Sequence, residues 1–207
     1  MRPALRLILG VAAVSPGVVA CTASAYGVTY VFDVERTVET AVARDGVEST
    51  PPRTDGDDLR ITWRVRDDGF VAGVTNGSGA PAALIWDDAR YVRGSSAEPI
   101  VNMTAPPQGR DLPQDPTRIA PDGSIDVHVL PRSHTTWLGD SGGWSQRSSL
   151  FHHGPAWTGT RHVREREAEE AEGIRFVLTI PVRMGAGVRI HRHAFRVTGA
   201  EIRAEYW

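Results

Sequence analysis

Leu59-Arg60-Ile61-Thr62-Trp63-Arg64-Val65-Arg66 alternates apolar and polar residues, meets Asp67-Asp68-Gly69, and resumes as Phe70-Val71-Ala72-Gly73-Val74-Thr75. Alternation of this kind puts one face of a strand on a core and the other in water. Asp-Asp-Gly between two such runs is a turn signal, so residues 59–75 read as a hairpin. Ile61, Trp63 and Val65 are expected to face inward, with Arg60, Arg64 and Arg66 on a solvated face.

Working outward from the hairpin, the same grammar repeats. Val28 to Val34 is β-branched and aromatic, and a Pro- and Asp-rich loop from Arg44 to Asp58 follows it. Asn76-Gly77-Ser78-Gly79 makes the next turn, and Ala82 to Trp86, Tyr91-Val92, Ile100 to Met103 and Ser124 to Leu130 read as short strands. Gly173 to Val182 and Val188 to Val197 form a closing pair around Arg183-Met184-Gly185-Ala186-Gly187. Eight or nine short strands with turn signals at regular spacing predict an all-β, antiparallel domain over residues 28–207. Two stretches break the pattern. Arg161 to Glu172 is dense in Arg, Glu and Ala and reads as a short charged helix or a charged hairpin tip. Arg132 to Gly154 lacks periodicity and reads as a long surface loop, a kind of segment that is often functional.

Phe70, Val74, Asn76, Ser78, Pro81 and Ile85-Trp86-Asp87, with the later Ile119-x-Pro121, Val129-x-Pro131 and Leu178-x-Ile180-Pro181, form a pattern. It resembles uncharacterised bacterial lipoproteins with an immunoglobulin-like β-sandwich. The resemblance covers roughly Leu59 to Val197 and implies a sandwich fold and an envelope location. It brings no catalytic residues with it.

The N-terminus is read as an export signal. Arg2 and Arg6 precede the apolar run Leu7 to Val14, which is too short to span a bilayer and fits the apolar region of a signal peptide. Val18-Val19-Ala20-Cys21 looks like a bacterial lipobox, so residues 1–20 are expected to be removed and Cys21 to carry lipid, with residues 21–27 as a short tether. Cys21 is the sole cysteine, so an internal disulfide is excluded and lipidation gives it a purpose. Ala23-Ser24-Ala25 offers ordinary signal peptidase an alternative site, which would leave a soluble secreted protein. The expected location is outside the cytoplasm, anchored by lipid and facing the periplasm or the cell exterior.

All 23 basic residues are Arg, and loss of Arg2 and Arg6 with the leader leaves 21 Arg against 25 acids. A net negative domain with no basic cluster argues against a nucleic-acid partner. The expected partners are the membrane, through the lipid, and an envelope protein or glycan.

Three groups of residues could carry chemistry. Gly139-Asp140-Ser141-Gly142-Gly143 resembles the nucleophile loop of chymotrypsin-type serine proteases. That chemistry needs a His base and an orienting Asp well upstream, yet the first His is His128, 13 residues before Ser141. Ser141 is therefore read as a turn residue, with a hydrolase kept as the alternative. His191 and His193 alternate in a strand and share a face, but a zinc site needs three or four converging ligands. They read as strand surface beside Phe195 and Val197, with no metal and no cofactor expected. Trp137, Trp144 and Trp157 cluster in the 132–160 stretch and are the candidate ligand platform, since loop aromatics stack on sugars and on partner side chains. The expected function is a non-enzymatic envelope lipoprotein that binds or supports another component.

Overall fold

The computed structural model describes residues 25–41, 58–105, 113–139, 142–151 and 160–205. Cys21, Asp140, Ser141, His152, His153 and Trp157 lie outside them. The elements are β1 (Ala25–Ala41), β2 (Leu59–Arg66), β3 (Gly69–Asn76), β4 (Ala82–Leu84), β5 (Arg90–Arg93), β6 (Ser96–Asn102) and β7 (Thr117–Ile119). They continue as β8 (Ser124–Pro131), a 3-10 turn (Arg132–His134), β9 (Thr135–Trp137), β10 (Trp144–Gln146), α1 (Arg161–Ala171), β11 (Arg175–Met184) and β12 (Gly187–Glu205).

The strands do not form a sandwich. The order β12-β1-β2-β3-β8-β6-β5-β11 is antiparallel, and β11 pairs back onto β12, which closes an eight-stranded barrel. β4 and β7 extend from β11 outside it, and β9 and β10 make a separate ribbon. The immunoglobulin-like expectation fails because alternation reports that one face is buried, not whether it meets a second sheet or the same sheet curled round. The length of the closing strand decides the matter. The closing strand, read as ending at Val197, runs 19 residues to Glu205. It is long enough to pair with β11 along one edge and with all of β1 along the other, from Ala25↔Glu205 to Ala41↔Val188.

β2 follows its sequence pattern. Leu59, Ile61 and Val65 are buried, Trp63 is half-buried against Phe70 and Phe195, and Arg60 and Arg64 face solvent. Gly69 takes φ 135° at the turn, where a Cβ would come within 2.6 Å of His128 Nε2, so this position admits glycine alone. Inside the barrel, Phe70, Tyr91 and Phe176 pack as tilted rings, and Phe176 stacks on Phe195 with centroids 4.7 Å apart. An eight-stranded barrel is just wide enough for its own side chains to fill, and here aromatic rings do so.

The seam between β1 and β2 is short, holding only Thr29↔Arg66 and Tyr30↔Val65. A register shift at Val31/Phe32 then turns β1 away. Arg36 reaches across, donating to the Leu59 carbonyl at 2.9 Å and lying 3.1 Å from His191 Nδ1. The charged stretch forms the helix α1, which packs on β1 and β12. Its outer face carries Arg161–Glu165 and Arg166–Glu170 pairs, and Arg164 turns inward, buried between Glu167 at 2.8 Å and Asp67 at 3.8 Å.

Candidate functional site

The 132–154 stretch, expected as loop, holds the 3-10 turn and a small hairpin. Thr135-Thr136-Trp137 and Trp144-Ser145-Gln146 are β-branched or aromatic triplets too short to show periodicity, yet they pair in register as Trp137↔Trp144 and Thr135↔Gln146. Gly139 and Gly143 close the hairpin with φ 97° and 63°, and Leu138 N–H donates to the Gly143 carbonyl at 2.9 Å. The ribbon is tied to the barrel. Gln146 Nε2 donates to the Asp67 carbonyl at 3.0 Å, and Ser133 donates to both oxygens of Glu98 on β6.

Directly paired residues share a face, so both indoles stand on one side of the ribbon. Their centroids are 5.1 Å apart at an interplanar angle of 63°, which makes a corner. The Arg132 guanidinium lies 4.0 Å over the Trp144 ring. With Arg147 these residues wall a groove of about 310 Å³, and Ser133, Thr135 and Thr136 complete the lining. Two members of the expected platform, Trp137 and Trp144, thus meet in one site, and Trp157 lies outside the described residues. Arg132 and Arg147 escaped the sequence reading. No local signal marked them: Arg147 directly follows β10, but Arg132 stands three residues before β9 and reaches the groove through the 3-10 turn.

The histidines are engaged elsewhere. His128 donates from Nε2 to the Asp68 carbonyl at 2.8 Å, and His162 is exposed, 3.9 Å from Glu165. His134 Nδ1 stands 3.0 Å from Ser148 Oγ. The expectation that His191 and His193 cover strand surface is wrong, since both are buried inside the barrel at 1% exposure. A barrel strand buries every second residue whatever its polarity, and these two alternate in phase with Phe195 and Val197. Burial, with lesser contributions from His191 and Arg36, pushes the His193 imidazole down to about 3. His193 Nε2 has no hydrogen-bond partner among the described residues, and the ring packs against Trp63 at 5.4 Å. Asn76 and Asn102 match glycosylation sequons in sequence, yet both are buried and bonded to neighbouring backbone or side chains, so neither can accept a glycan.

Among the described residues no helix is long and apolar enough to cross a membrane. The chain matches no family model, no curated protein and no solved structure.

Proposed function

We propose that this chain is an exported, lipid-anchored envelope protein without catalytic activity, whose barrel presents the groove at Trp137 and Trp144 to an envelope component. The observation that carries the reading is the Trp137–Trp144 corner with Arg132 stacked on it, held on a ribbon bonded to the barrel. Rigid aromatics give contact area at low entropic cost, which is why they dominate binding hot spots. Phe70, Tyr91, Phe176 and Phe195 pack inside the barrel, and the groove lies on its surface, where a partner can reach it. Sedimentation with isolated envelope fragments tests this. Trp144→Ala should lower the bound fraction by about tenfold or more, the effect of losing one hot-spot side chain, with thermal stability nearly unchanged. Equal sedimentation of the variant and the native chain would remove the groove from the reading.

The anchor is tested separately. Cys21→Ser should move the protein from the membrane to the soluble fraction and block globomycin-sensitive processing. A mature N-terminus at Tyr26 would instead identify the soluble secreted form.

One observation favours hydrolysis as a second reading: the His134 Nδ1–Ser148 Oγ contact, one residue beyond the groove-lining Arg147. A serine becomes a nucleophile when its base is held by a third group and faces an oxyanion site. The expected result with a fluorophosphonate probe is no labelling. Labelling that disappears in Ser148→Ala or Ser141→Ala would make the protein an enzyme.

A further inference from the structure

Resting on the lipid-anchor reading above, we infer that the outer wall formed by β11 and β12 lies against an anionic bilayer surface, its four arginines on phospholipid headgroups. Residues 175–199 hold five Arg and neither Asp nor Glu, in a chain whose net charge is -2. Directly opposed residues share a face of a sheet. Arg175 stands opposite Arg196, Arg192 stands opposite Thr179, and Arg183 lies further along the same face of β11. All four arginines are exposed, and the alternating Phe176, Leu178 and Ile180 of β11 are buried on the other face. Arg189, opposite the buried Val182, belongs to that other face. The half-buried Val177, Thr179 and Ala194 between the four are short, so the arginines are the tallest features of the wall. Like charges set directly opposite one another destabilise a sheet, and Arg175–Arg196 is such a pair. Asp33 and Glu35 border the wall on β1, with Asp33 opposite Arg196, yet none of the four arginines makes an ion pair among the described residues. Unrelieved repulsion on an exposed face calls for an anion from outside the chain.

Spacing decides what kind of anion. Arg175 and Arg183 are eight positions apart on β11, which at ~3.3 Å per residue is ~26 Å, and Arg192 and Arg196 cover half that length on β12. A single phosphate reaches one or two such groups. A plane of phosphodiesters reaches all four, and each basic residue near it adds to the attraction. The anchor puts that plane within reach. Ala25, where β1 begins, is four positions beyond Cys21, a span of at most ~14 Å. β1 is paired along its length with β12, so the basic wall adjoins the anchored strand. Across the ring stand β3 and β8, which hold Asp126 and no Arg, so the barrel is polarised between two opposite walls. The ribbon that carries the Trp137–Trp144 groove is bonded to the β2–β3 turn and to β6, a separate place on the barrel. Salt screens exposed charges, so this contact orients an anchored protein and does not hold it alone.

Flotation with vesicles tests this on the processed chain carrying Cys21→Ser, which takes the lipid out of the measurement. At about 50 mM salt, vesicles with phosphatidylglycerol as about half of their lipid should bind the chain at least about tenfold more tightly than phosphatidylcholine vesicles. Raising salt to about 300 mM should remove the difference. Arg192→Gln with Arg196→Gln should weaken the anionic binding by about thirtyfold, the product of two charges near the surface. Arg192→Lys with Arg196→Lys should keep it, since headgroup charge needs no fork geometry. Arg60→Gln with Arg64→Gln removes the same charge from β2 and should change binding by less than about threefold. An equal loss in that control would reduce the effect to net charge and overturn the inference, as would equal uptake by the two kinds of vesicle. A soluble glycerol phosphate oligomer that binds more tightly than the vesicles at equal phosphate would assign the wall to a polymer instead. Sedimentation as a dimer that Arg192→Gln with Arg196→Gln dissociates would assign it to a second copy, and either result overturns the bilayer. The anchor is judged apart, by fractionation of Cys21→Ser in cells. Release there, with no vesicle preference here, overturns this inference alone.

Discussion

Arg164→Ala is expected to cost about 3–5 kcal/mol of folding stability, the usual effect of removing one partner from a buried ion cluster. Arg164 is 1% exposed and lies 2.8 Å from Glu167 and 3.8 Å from Asp67, whose own side chain is 8% exposed. Asp67 is also a backbone hub: its N–H donates to the Val28 carbonyl and its carbonyl accepts from Leu150 N–H. Losing the guanidinium leaves a carboxylate buried where β1, the β2–β3 turn and the 149–151 segment meet, and α1 loses its hold on that end of the barrel. At roughly 2–4 °C per kcal/mol for a chain of this size, the midpoint of thermal unfolding should fall by about 6–20 °C. Arg166→Ala is the internal control. It breaks an exposed 3.7 Å pair with Glu170 on the same helix and should change stability by less than about 0.5 kcal/mol. Similar losses in the two variants would mean that the Arg164 cluster contributes no more than a surface pair.

Acidification should destabilise the fold through His193. The unfolded imidazole titrates near its ordinary value of 6.5, and the folded one is pushed down to about 3. Between those values the unfolded chain binds a proton that the folded chain refuses, so stability rises with pH. The contribution of the neutral ring is fully present above about 6.5 and drains away as pH falls toward about 3, at up to about 1.4 kcal/mol per pH unit. The groups facing His193 account for the sign. His191 and Arg36 stand beside it, and Trp63 and Phe195 wall it off from water. Urea unfolding at about pH 7.5 and about pH 5 should show a loss of about 2 kcal/mol from this residue alone. His193→Phe should lower the pH sensitivity by that amount, whatever it does to stability at neutral pH. An unchanged difference between the two pH values in the variant would sink the assignment.

The sequence made the strands legible and their closure illegible. Ile61, Trp63, Val65 and Phe70 carry a period of two that reads as strands in any all-β architecture, and the β2–β3 hairpin stands where that period puts it. Whether such strands stack as two sheets or curl into one depends on pairings between residues as distant as Val28 and Ile202. No local pattern encodes those. His191 and His193 show the same limit from the other side, because polarity argued for a surface position and the register of a closed barrel overrode it. At the groove, composition flagged the tryptophans. The arginines became visible only when the in-register Trp137–Trp144 pair brought positions 132 and 147 to one recess.

The pairing of β1 with β12 has a kinetic consequence. Every residue pair in that ribbon joins the two extremes of the described chain, from Ala25↔Glu205 inward. Such contacts must pay for closing a very long loop, so they are expected to form late in folding. Until β12 is available, β1 has only two residue pairs to β2 and presents a strand edge almost seventeen residues long. An edge of that length is open to pairing with other chains. Nascent or truncated chains without β12 should therefore stay unclosed and prone to aggregate.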